Sequence, residues 1–387
     1  MTTSVAHIFP TDHVAYLMRA RLMRLQERGF SVSVLCGDRG YTKHLRECGL
    51  TVITIPFARE ISPIVDIHCI WSLRAALKKG KYAIVHSHNP KGTLLGPVSA
   101  KWAGSSVVVH TVHGFLFNEH SRGLYLLAAL AAERWCAFWT DHLLFQSKED
   151  YNYAKMKNFK DSDRLHLIGN GVDERRFNPK KFPQARQEKR FELELKDNDF
   201  VVGMVTRLVR EKGCVDFFQA ASIICRRHEN VRFLLIGIPE KNDQKDAVDP
   251  VELAKEYCIT DKVILLEDRL DMPELYLTMD LCVLPSYREG LPRCLLEASM
   301  MGTPIAATNI RGCKEVIVDG ETGLLYPLGH VNEFVAVIER MMNDDNLRNR
   351  VSKEGTLRVQ ANYTEAHVTQ RIVDLYNSLL LQTKEDN

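Results

Sequence analysis

The sequence predicts an α/β protein built from two Rossmann-like, doubly wound domains in tandem, with a cleft between them. Three observations predict it. Short apolar runs of the buried-strand type alternate with amphipathic helical stretches from Val5 to Gly169, and the alternation starts afresh at Phe200. Between the two sets, residues 174–198 change character: the segment is dense in charge and carries Pro179 and Pro183. At 387 residues, with 45% hydrophobic and 26% charged, the chain has the length and composition for two globular domains. The expected domains are 1–176 and 177–387, with a C-terminal helix over about 364–382 free to pack back on the first.

Taken in order, Val5 to Phe9 reads as the first strand. The helix after it, Val14 to Arg28, sets Met18, Leu22 and Leu25 on one stripe and Arg21, Arg24 and Arg28 on another. Gly29 ends it, and strands follow at Phe30 to Leu35 and Thr51 to Ile55, separated by a helix over Tyr41 to Cys48. A long helix (Pro63 to Lys79), a strand (Tyr82 to His86), a helix (Gly92 to Trp102) and a strand (Val107 to Thr111) continue the pattern. Leu124 to Trp139 is helical. Its alanine-rich middle favours a core helix packed on the sheet over one lying on a membrane with Arg122, Arg134 and Trp135 at the interface. Strands at Asp141 to Ser147 and Leu165 to Gly169 close the first set.

Ligands of parallel sheets bind at the carboxyl ends of strands. Two such ends carry histidines here: His86-Ser-His-Asn-Pro-Lys-Gly92 and His110-Thr-Val-His-Gly-Phe115. The spacings lack a nearby Cys or acid and make a poor zinc signature, so no metal site is expected. His113 precedes Gly114, which lets a ligand approach the backbone, so His113 is expected to touch substrate. His86 and His88 stay open between structural and ligand roles. Lys91 is read as a phosphate-facing cation in a loop before a helix.

The second set runs strand Phe200 to Thr206, helix Cys214 to Arg227, strand Val231 to Ile236, a polar loop (Pro239 to Asp249), then strands Val263 to Leu266, Leu281 to Leu284 and Pro304 to Ala307, each with a helix after it. Its first strand ends in Thr206-Arg-Leu-Val-Arg-Glu-Lys-Gly213, two cations five apart before a helix, which suits a phosphate. A later strand runs into Ser286-Tyr-Arg-Glu-Gly-Leu-Pro-Arg-Cys-Leu-Leu-Glu-Ala298, where Pro292 suits a first helical turn and Glu289 and Glu297 flank the amide-rich helix start. Arg207, Lys212, Glu289 and Glu297 all lie at carboxyl ends of strands of one sheet and can converge. The cations would neutralise a diphosphate and the carboxylates would hold hydroxyls.

Charge is uneven. There is an excess of ten positive charges through Lys181 and an excess of eight negative ones after it, so the first half is expected to face something anionic. Ten cysteines show no CxxC and no dense disulfide framework, and the start lacks a signal peptide's apolar core, which points to reducing cytosol. No run approaches the roughly 20 apolar residues of a membrane helix.

Together these residues resemble the retaining GT-B glycosyltransferases of family 4. Glu289 to Glu297 is similar to that family's E-x7-E motif, and Gly302-x-Pro304, Gly312-x-x-Glu315 and Asp319-Gly-x-x-Gly323 match around it. Arg207 and Lys212 fall where the family's R-x4-K pair grips the donor diphosphate, and Asn170-Gly-Val-Asp173 with Phe177-x-Pro179 resembles its domain link. The histidine segments and Glu133-Arg134 look most like the branch acting on polyprenyl-diphosphate-linked sugars in capsule, exopolysaccharide and glycan assembly. Pro10-Thr-Asp-His-Val departs from the family's Gly-Gly loop and leaves Thr11 and Asp12 within reach of an acceptor.

The resemblance implies an acceptor-binding first domain and a nucleotide-sugar-binding second one, with retention of configuration and no metal or cofactor. Glu297 would take both ribose hydroxyls, and Glu289 would contact the donor sugar. The amides from Gly290 through Leu291 and Pro292 to Arg293 would back the phosphates, and His113 would touch the sugar across the cleft. Base recognition is expected from backbone groups near Arg269, and acceptor contacts from Thr11, Asp12, His88 and Lys91. The expected reaction is a front-face transfer, with a UDP-sugar as donor and a lipid-linked saccharide as acceptor, in the cytoplasm at the inner face of the membrane. A peripheral membrane contact through the basic first domain stays open, and nucleic acid is not an expected partner. A soluble small-molecule acceptor is the alternative, and a non-catalytic nucleotide-sugar binder a further one. A two-carboxylate glycosidase is disfavoured because a neutral glycoside has no diphosphate for Arg207 and Lys212.

Overall fold

A computed structural model describes residues 3–58, 62–88, 91–115, 117, 121–237 and 246–385. The chain divides into one unit of Met1–Asn170 with Glu365–Asn387, and a second of Gly171–Thr364. Each is a fully parallel sheet flanked by helices.

In the first unit the strands are β1 (Thr3–Phe9), β2 (Phe30–Cys36), β3 (Thr51–Thr54), β4 (Ile84–His88), β5 (Val107–Val112), β6 (His142–Phe145) and β7 (Leu165–Leu167). The helices are α1 (Asp12–Leu17), α2 (Arg19–Glu27), α3 (Thr42–Glu47), α4 (Pro63–Gly80), α5 (Lys91–Trp102), α6 (Gly123–Trp139) and α7 (Lys148–Met156). The sheet order is β3-β2-β1-β4-β5-β6-β7. The direction of progression therefore reverses between β1 and β4, where doubly wound sheets open a crevice.

The second unit contains α8 (Ala185–Glu192), β8 (Phe200–Val205), α9 (Cys214–Arg227), β9 (Val231–Ile236), α10 (Pro250–Glu256), β10 (Val263–Leu266), α11 (Met272–Thr278) and β11 (Leu281–Leu284). It continues with α12 (Arg293–Met300), β12 (Ile305–Thr308), α13 (Cys313–Val316), β13 (Leu324–Tyr326), α14 (Val331–Asn343) and α15 (Asp345–Asn362). Its order, β10-β9-β8-β11-β12-β13, reverses between β8 and β11.

The last helix, α16 (Glu365–Glu385), belongs to the first unit. Val368, Ile372, Tyr376 and Leu379 recur at helical spacing and bury against Leu22 and Leu25 of α2. Arg21 of α2 donates to both carboxylate oxygens of Glu365 at 2.9 and 3.1 Å, and both side chains are 1% exposed. Asn170 accepts a further bond from Arg21 at 3.4 Å. A paired, bidentate guanidinium is the form in which such a charge tolerates burial.

Several expectations need correction. The segment 174–198, read as the boundary between the domains, lies inside the second unit: it carries α8, whose Arg190 is buried and donates to the carbonyls of Lys196 and Asp199 at 2.6 Å, while Arg186 pairs with Asp280 at 2.5 Å. Amphipathic charge mimicked a linker composition. The division falls at Asn170/Gly171 rather than at 176, because Val172 already bridges to Thr364 and Phe177 packs on Tyr276 within the second unit. The helix expected over Val14 to Arg28 is broken at Met18 into α1 and α2. The polar loop at Pro239 to Asp249 lies in part outside the described residues.

α6 fits neither reading whole. It buries a narrow stripe of Ala129, Glu133, Cys136 and Ala137, yet leaves Leu124 85%, Leu127 63% and Phe138 76% exposed. Burial, reinforced by Asp150, raises the Glu133 carboxyl to about 8. All ten cysteines are free thiols. Among the described residues no helix is long and apolar enough to cross a membrane.

Candidate active site

At the β8/β11 reversal the two strands hand over to two loops that are stitched together. Tyr287 N donates to Glu211 O at 2.9 Å, Arg288 pairs with the Glu211 carboxylate at 2.6 Å, and Thr308 Oγ1 donates to Ser286 O at 2.6 Å. Two glycines permit this closeness. Gly213 (φ +74°) sits where a Cβ would lie 2.0 Å from Pro285 O, and at Gly312 (φ +82°) one would lie 2.3 Å from Gly290 O. Both the backbone angle and the space require glycine.

On this frame Lys212 and Glu289 meet: Lys212 Nζ lies 2.7 Å from Glu289 Oε1 and donates to Arg288 O at 3.1 Å. Their side chains are 14% and 13% exposed, shielded from water without being removed from it. Glu297, one turn inside α12, accepts a bond from Tyr276 Oη at 3.1 Å and lies 3.6 Å from Arg293 Nη2. Burial comes first in raising the Cys294 thiol, followed by Cys282, Glu289 and Glu297, with Lys212 acting against them. Arg207 is exposed at the end of β8.

α9 and α12 both start at this point, with Gly213 and Pro292 as N-caps, residues that have no side chain able to bond the first amides of their helices. Gly290, Leu291, Pro292 and Arg293 lead into α12. Their position aims amide dipoles into the charged cluster, which suits an anion flanked by hydroxyl groups.

At the β1/β4 reversal the chemistry differs. The histidine segment expected in a loop lies inside the sheet, because β4 runs on to His88, paired in register with Thr111. His86 and His88 are therefore buried, and Asn89 and Pro90 of the same motif lie outside the described residues. His86 accepts or donates at both nitrogens, to Tyr376 Oη at 2.5 Å and Thr111 Oγ1 at 2.6 Å. His88 bonds His7 at 3.1 Å and His113 at 3.0 Å, and Phe9 stacks on it at 4.2 Å. His110, on the opposite face, bonds Ser87 and Thr93. Burial is the main cause that keeps these rings neutral: it takes His7 and His110 down to about 3, helped by Arg21 for His7 and His113 for His110, and lowers His86 and His88 well below the usual range.

His7, His86 and His88 place one nitrogen each within 4.8 Å of one another, the spacing of a three-ligand metal site. Their nitrogens are largely engaged by protein partners, so an ion would have to break those bonds. His7 was not singled out from the sequence, where it looks like one polar residue in an apolar strand.

The acceptor residues proposed from sequence separate. His88 is 1% exposed with both nitrogens bonded, so it cannot reach a ligand directly. Asp12 is fully buried and accepts from Arg39 N and Tyr41 N, pinning the β2–α3 loop. Lys91 is nearly buried and paired with Asp66 at 2.5 Å. Thr11 and His113 are half-buried and remain within reach of solvent. The Arg269 side chain is tied to Asp271 and Glu192, which leaves only its backbone for a ligand. Tyr276 and Glu211 were missed. Tyr276 is a polar tip on the buried side of α11, and that position in an apolar stripe was the available signal.

A doubly wound pair of domains with this paired-glutamate, Arg/Lys strand-end site defines a GT-B glycosyltransferase. The family described as glycosyl transferases group 1 matches residues 185–358, and glycosyltransferase family 4 matches residues 14–176. The UDP-Gal:alpha-D-GlcNAc-diphosphoundecaprenol alpha-1,3-galactosyltransferase of Escherichia coli is 30% identical over 97% of both chains. The capsular polysaccharide biosynthesis glycosyltransferase CapM of Staphylococcus aureus is 25% identical over 98% of both. Among solved structures, HepE of Anabaena in complex with UDP-glucose superposes with a TM-score of 0.83 at 18% identity, over 97% of this chain and 99% of that one. Sucrose-phosphate synthase from Thermosynechococcus elongatus gives 0.82 at 20%, over 98% and 100%. The chain belongs to glycosyltransferase family 4, and it is a glycosyltransferase.

Proposed function

We propose that the protein transfers a sugar from a UDP-sugar to a saccharide carried on a polyprenyl diphosphate, with retention of configuration and without a metal. The observation that carries the donor half is the Lys212–Glu289 pair, with Lys212 directly before α9 and Glu289 in the loop before α12. An incoming diphosphate supplies the negative charge that Glu289 now gives Lys212, and frees the glutamate for the sugar. Arg207, Lys212 and the two helix dipoles then stabilise the leaving nucleoside diphosphate where its charge develops. Glu297, held by Tyr276, takes the ribose hydroxyls, and His113 contacts the donor sugar. The C1–O bond to the diphosphate breaks as the acceptor hydroxyl bonds to C1 on the same face, and its proton passes to the leaving phosphate oxygen.

The acceptor half rests on relatives. The E. coli enzyme is named for a diphosphoundecaprenol-linked sugar, and a Campylobacter jejuni relative, 25% identical over 92% of this chain, is an N,N'-diacetylbacillosaminyl-diphospho-undecaprenol alpha-1,3-N-acetylgalactosaminyltransferase. A lipid-borne acceptor fits the exposed apolar groups of the first unit: Ile64, Ile67 and Trp71 on α4, and Leu124, Leu127 and Phe138 on α6. The positive excess through Lys181 adds to this the charge that suits an anionic leaflet on the cytoplasmic side.

A thermal-shift screen of UDP-, GDP- and ADP-sugars tests the donor. UDP-sugars are expected to raise the melting temperature, and a response to none of the three ends the reading. Transfer is then assayed on a polyprenyl-diphosphate saccharide against the same saccharide free in solution. Equal turnover on both would replace the lipid acceptor with a soluble one. Activity is expected to survive EDTA, and loss restored by a divalent ion would overturn the metal-free mechanism.

A further inference from the structure

The buried imidazoles beside His113 form a directed chain. His7 Nδ1 lies 3.1 Å from His88 Nε2, and His88 Nδ1 lies 3.0 Å from His113 Nε2. A neutral imidazole has one N–H and one bare nitrogen, so each contact needs a donor on one side and an acceptor on the other. The chain then has two possible directions, and its buried end decides between them. His7 Nε2 is buried with no hydrogen-bond partner among the described residues. An orphaned N–H is the costlier alternative, because an unpaired acceptor keeps its lone pair at smaller loss. The Arg21 guanidinium acts in the same direction: its charge reaches His7, its own Nη1 is also buried and unpartnered among the described residues, and a cation favours a lone pair over an N–H.

We infer that His88, bonded behind by His7, is the positioning residue that fixes the tautomer of His113, holding its proton on Nδ1. His7 carries its proton on Nδ1 and donates to His88 Nε2. His88 therefore carries its proton on Nδ1 and donates to His113 Nε2. With Nε2 of His113 accepting, the nitrogen it turns elsewhere is an N–H. Toward a sugar oxygen His113 is then a hydrogen-bond donor and not a base. Phe9, stacked on His88 at 4.2 Å, and the burial of both rings hold the geometry. This functional meaning rests on His113 contacting the donor sugar, whereas the tautomer does not.

Long-range proton–nitrogen correlation spectra of 15N-histidine-labelled, ligand-free protein read the tautomer directly, with the His113 signals identified by their loss in His113→Gln. Wild type is expected to show His113 protonated on Nδ1. His88→Phe removes the donor and is expected to return His113 towards the Nε2–H form that imidazoles prefer in water, with kcat/KM for transfer about five- to tenfold lower, the worth of one hydrogen bond. His88→Asn places an amide N–H near the lost Nδ1–H and is expected to restore the Nδ1 tautomer and most of the rate. His7→Phe is expected to leave the His113 tautomer unchanged, because His88 Nε2 then becomes the buried orphan and stays bare. Protonation on Nε2 in wild type, or an unchanged tautomer in folded His88→Phe, overturns the relay. An Nδ1–H tautomer in a protein that responds to no nucleotide sugar would instead sink the donor reading and leave the relay standing.

Discussion

Beyond the carboxyl ends of β8 and β11 the side chains are charged and partly wet, whereas around β1 and β4 they are neutral imidazoles sealed under α16. The two sheets reverse direction in the same way, at the first and fourth strands of each. Topology therefore supplies a crevice in both units, and the chemistry depends on where the polar residues fall. In the second unit they lie past the last ladder bond, on loops and helix starts, where the proposed donor would replace their present partners. In the first unit β4 runs on through its histidines, so they become part of the sheet, and His88 bonds the half-buried His113 at their edge. A charge in the second unit should matter for ligand, and a polar group under α16 for folding.

The largest expected effect tests the folding half. Glu365→Ala leaves the Arg21 guanidinium buried without its carboxylate and should cost about 3–5 kcal/mol of stability. Urea unfolding followed by tryptophan fluorescence measures it cleanly, because Trp71, Trp102, Trp135 and Trp139 all lie in the first unit. A loss under about 1 kcal/mol would mean that the pair is not the clamp its burial implies.

Lys212→Ala tests the other half. Its expected cost is a fall in kcat of about 10²–10³, the usual worth of a group that stabilises developing charge. The midpoint of unfolding should hardly move, since Glu289 is left beside water rather than in a core. A large stability loss with an unchanged rate would invert the comparison.

The division between the two regions also marks what the sequence could reveal. Arg207, Lys212, Glu289 and Glu297 were legible because loop-and-helix-start positions announce themselves by charge at fixed spacing after an apolar run. Helix α9 and strands β9, β10 and β11 lie where periodicity put them. The histidine layer was misplaced because a strand that continues through polar residues gives no sign of doing so; only the pairing of His88 with Thr111 reveals it. Asp12 and Lys91 looked available because burial and partners 25 or more residues away in the chain, such as Tyr41 for Asp12, cannot be read from local pattern. Segment 174–198 misled for the converse reason. Its arginines anchor α8 on the second unit through carbonyls and Asp280, and that use of charge has the composition of a linker.

Acid should separate the two units. His7 and His110 have folded values near 3 against about 6.5 unfolded. Above pH 6.5 both states are neutral and the histidines contribute nothing. As pH falls below 6.5 the unfolded chain takes up protons that the folded layer refuses, so each histidine lowers stability by about 1.4 kcal/mol per pH unit until pH 3 is approached. The second unit has no buried histidine among the described residues. Tryptophan fluorescence, which sees the first unit, should therefore lose its folded signal at higher pH than far-ultraviolet dichroism, which sees both. Coincident transitions would show that the layer is not what limits stability in acid.

The smallest expected effect is the sharpest test of how the second unit's site is held. Tyr276 is fully buried, and burial is the main cause keeping its hydroxyl protonated, with Glu297 next, so it donates to Glu297 and never competes with it for a proton. Tyr276→Phe keeps the ring, its packing against Phe177 and the volume of α11, and removes a single hydrogen bond to a carboxylate. At 3.1 Å that bond is on the long side for a charge-assisted one, so its loss should be worth about 1 kcal/mol, or roughly a fivefold weaker donor affinity. Glu297→Ala, which on the proposed reading removes both ribose bonds, should weaken the donor by tenfold or more. Calorimetric titration with the nucleoside diphosphate resolves the two. If the Phe variant binds as tightly as wild type while the Ala variant does not, Glu297 is positioned by its place on α12 and by Arg293 at 3.6 Å, and Tyr276 only fills space.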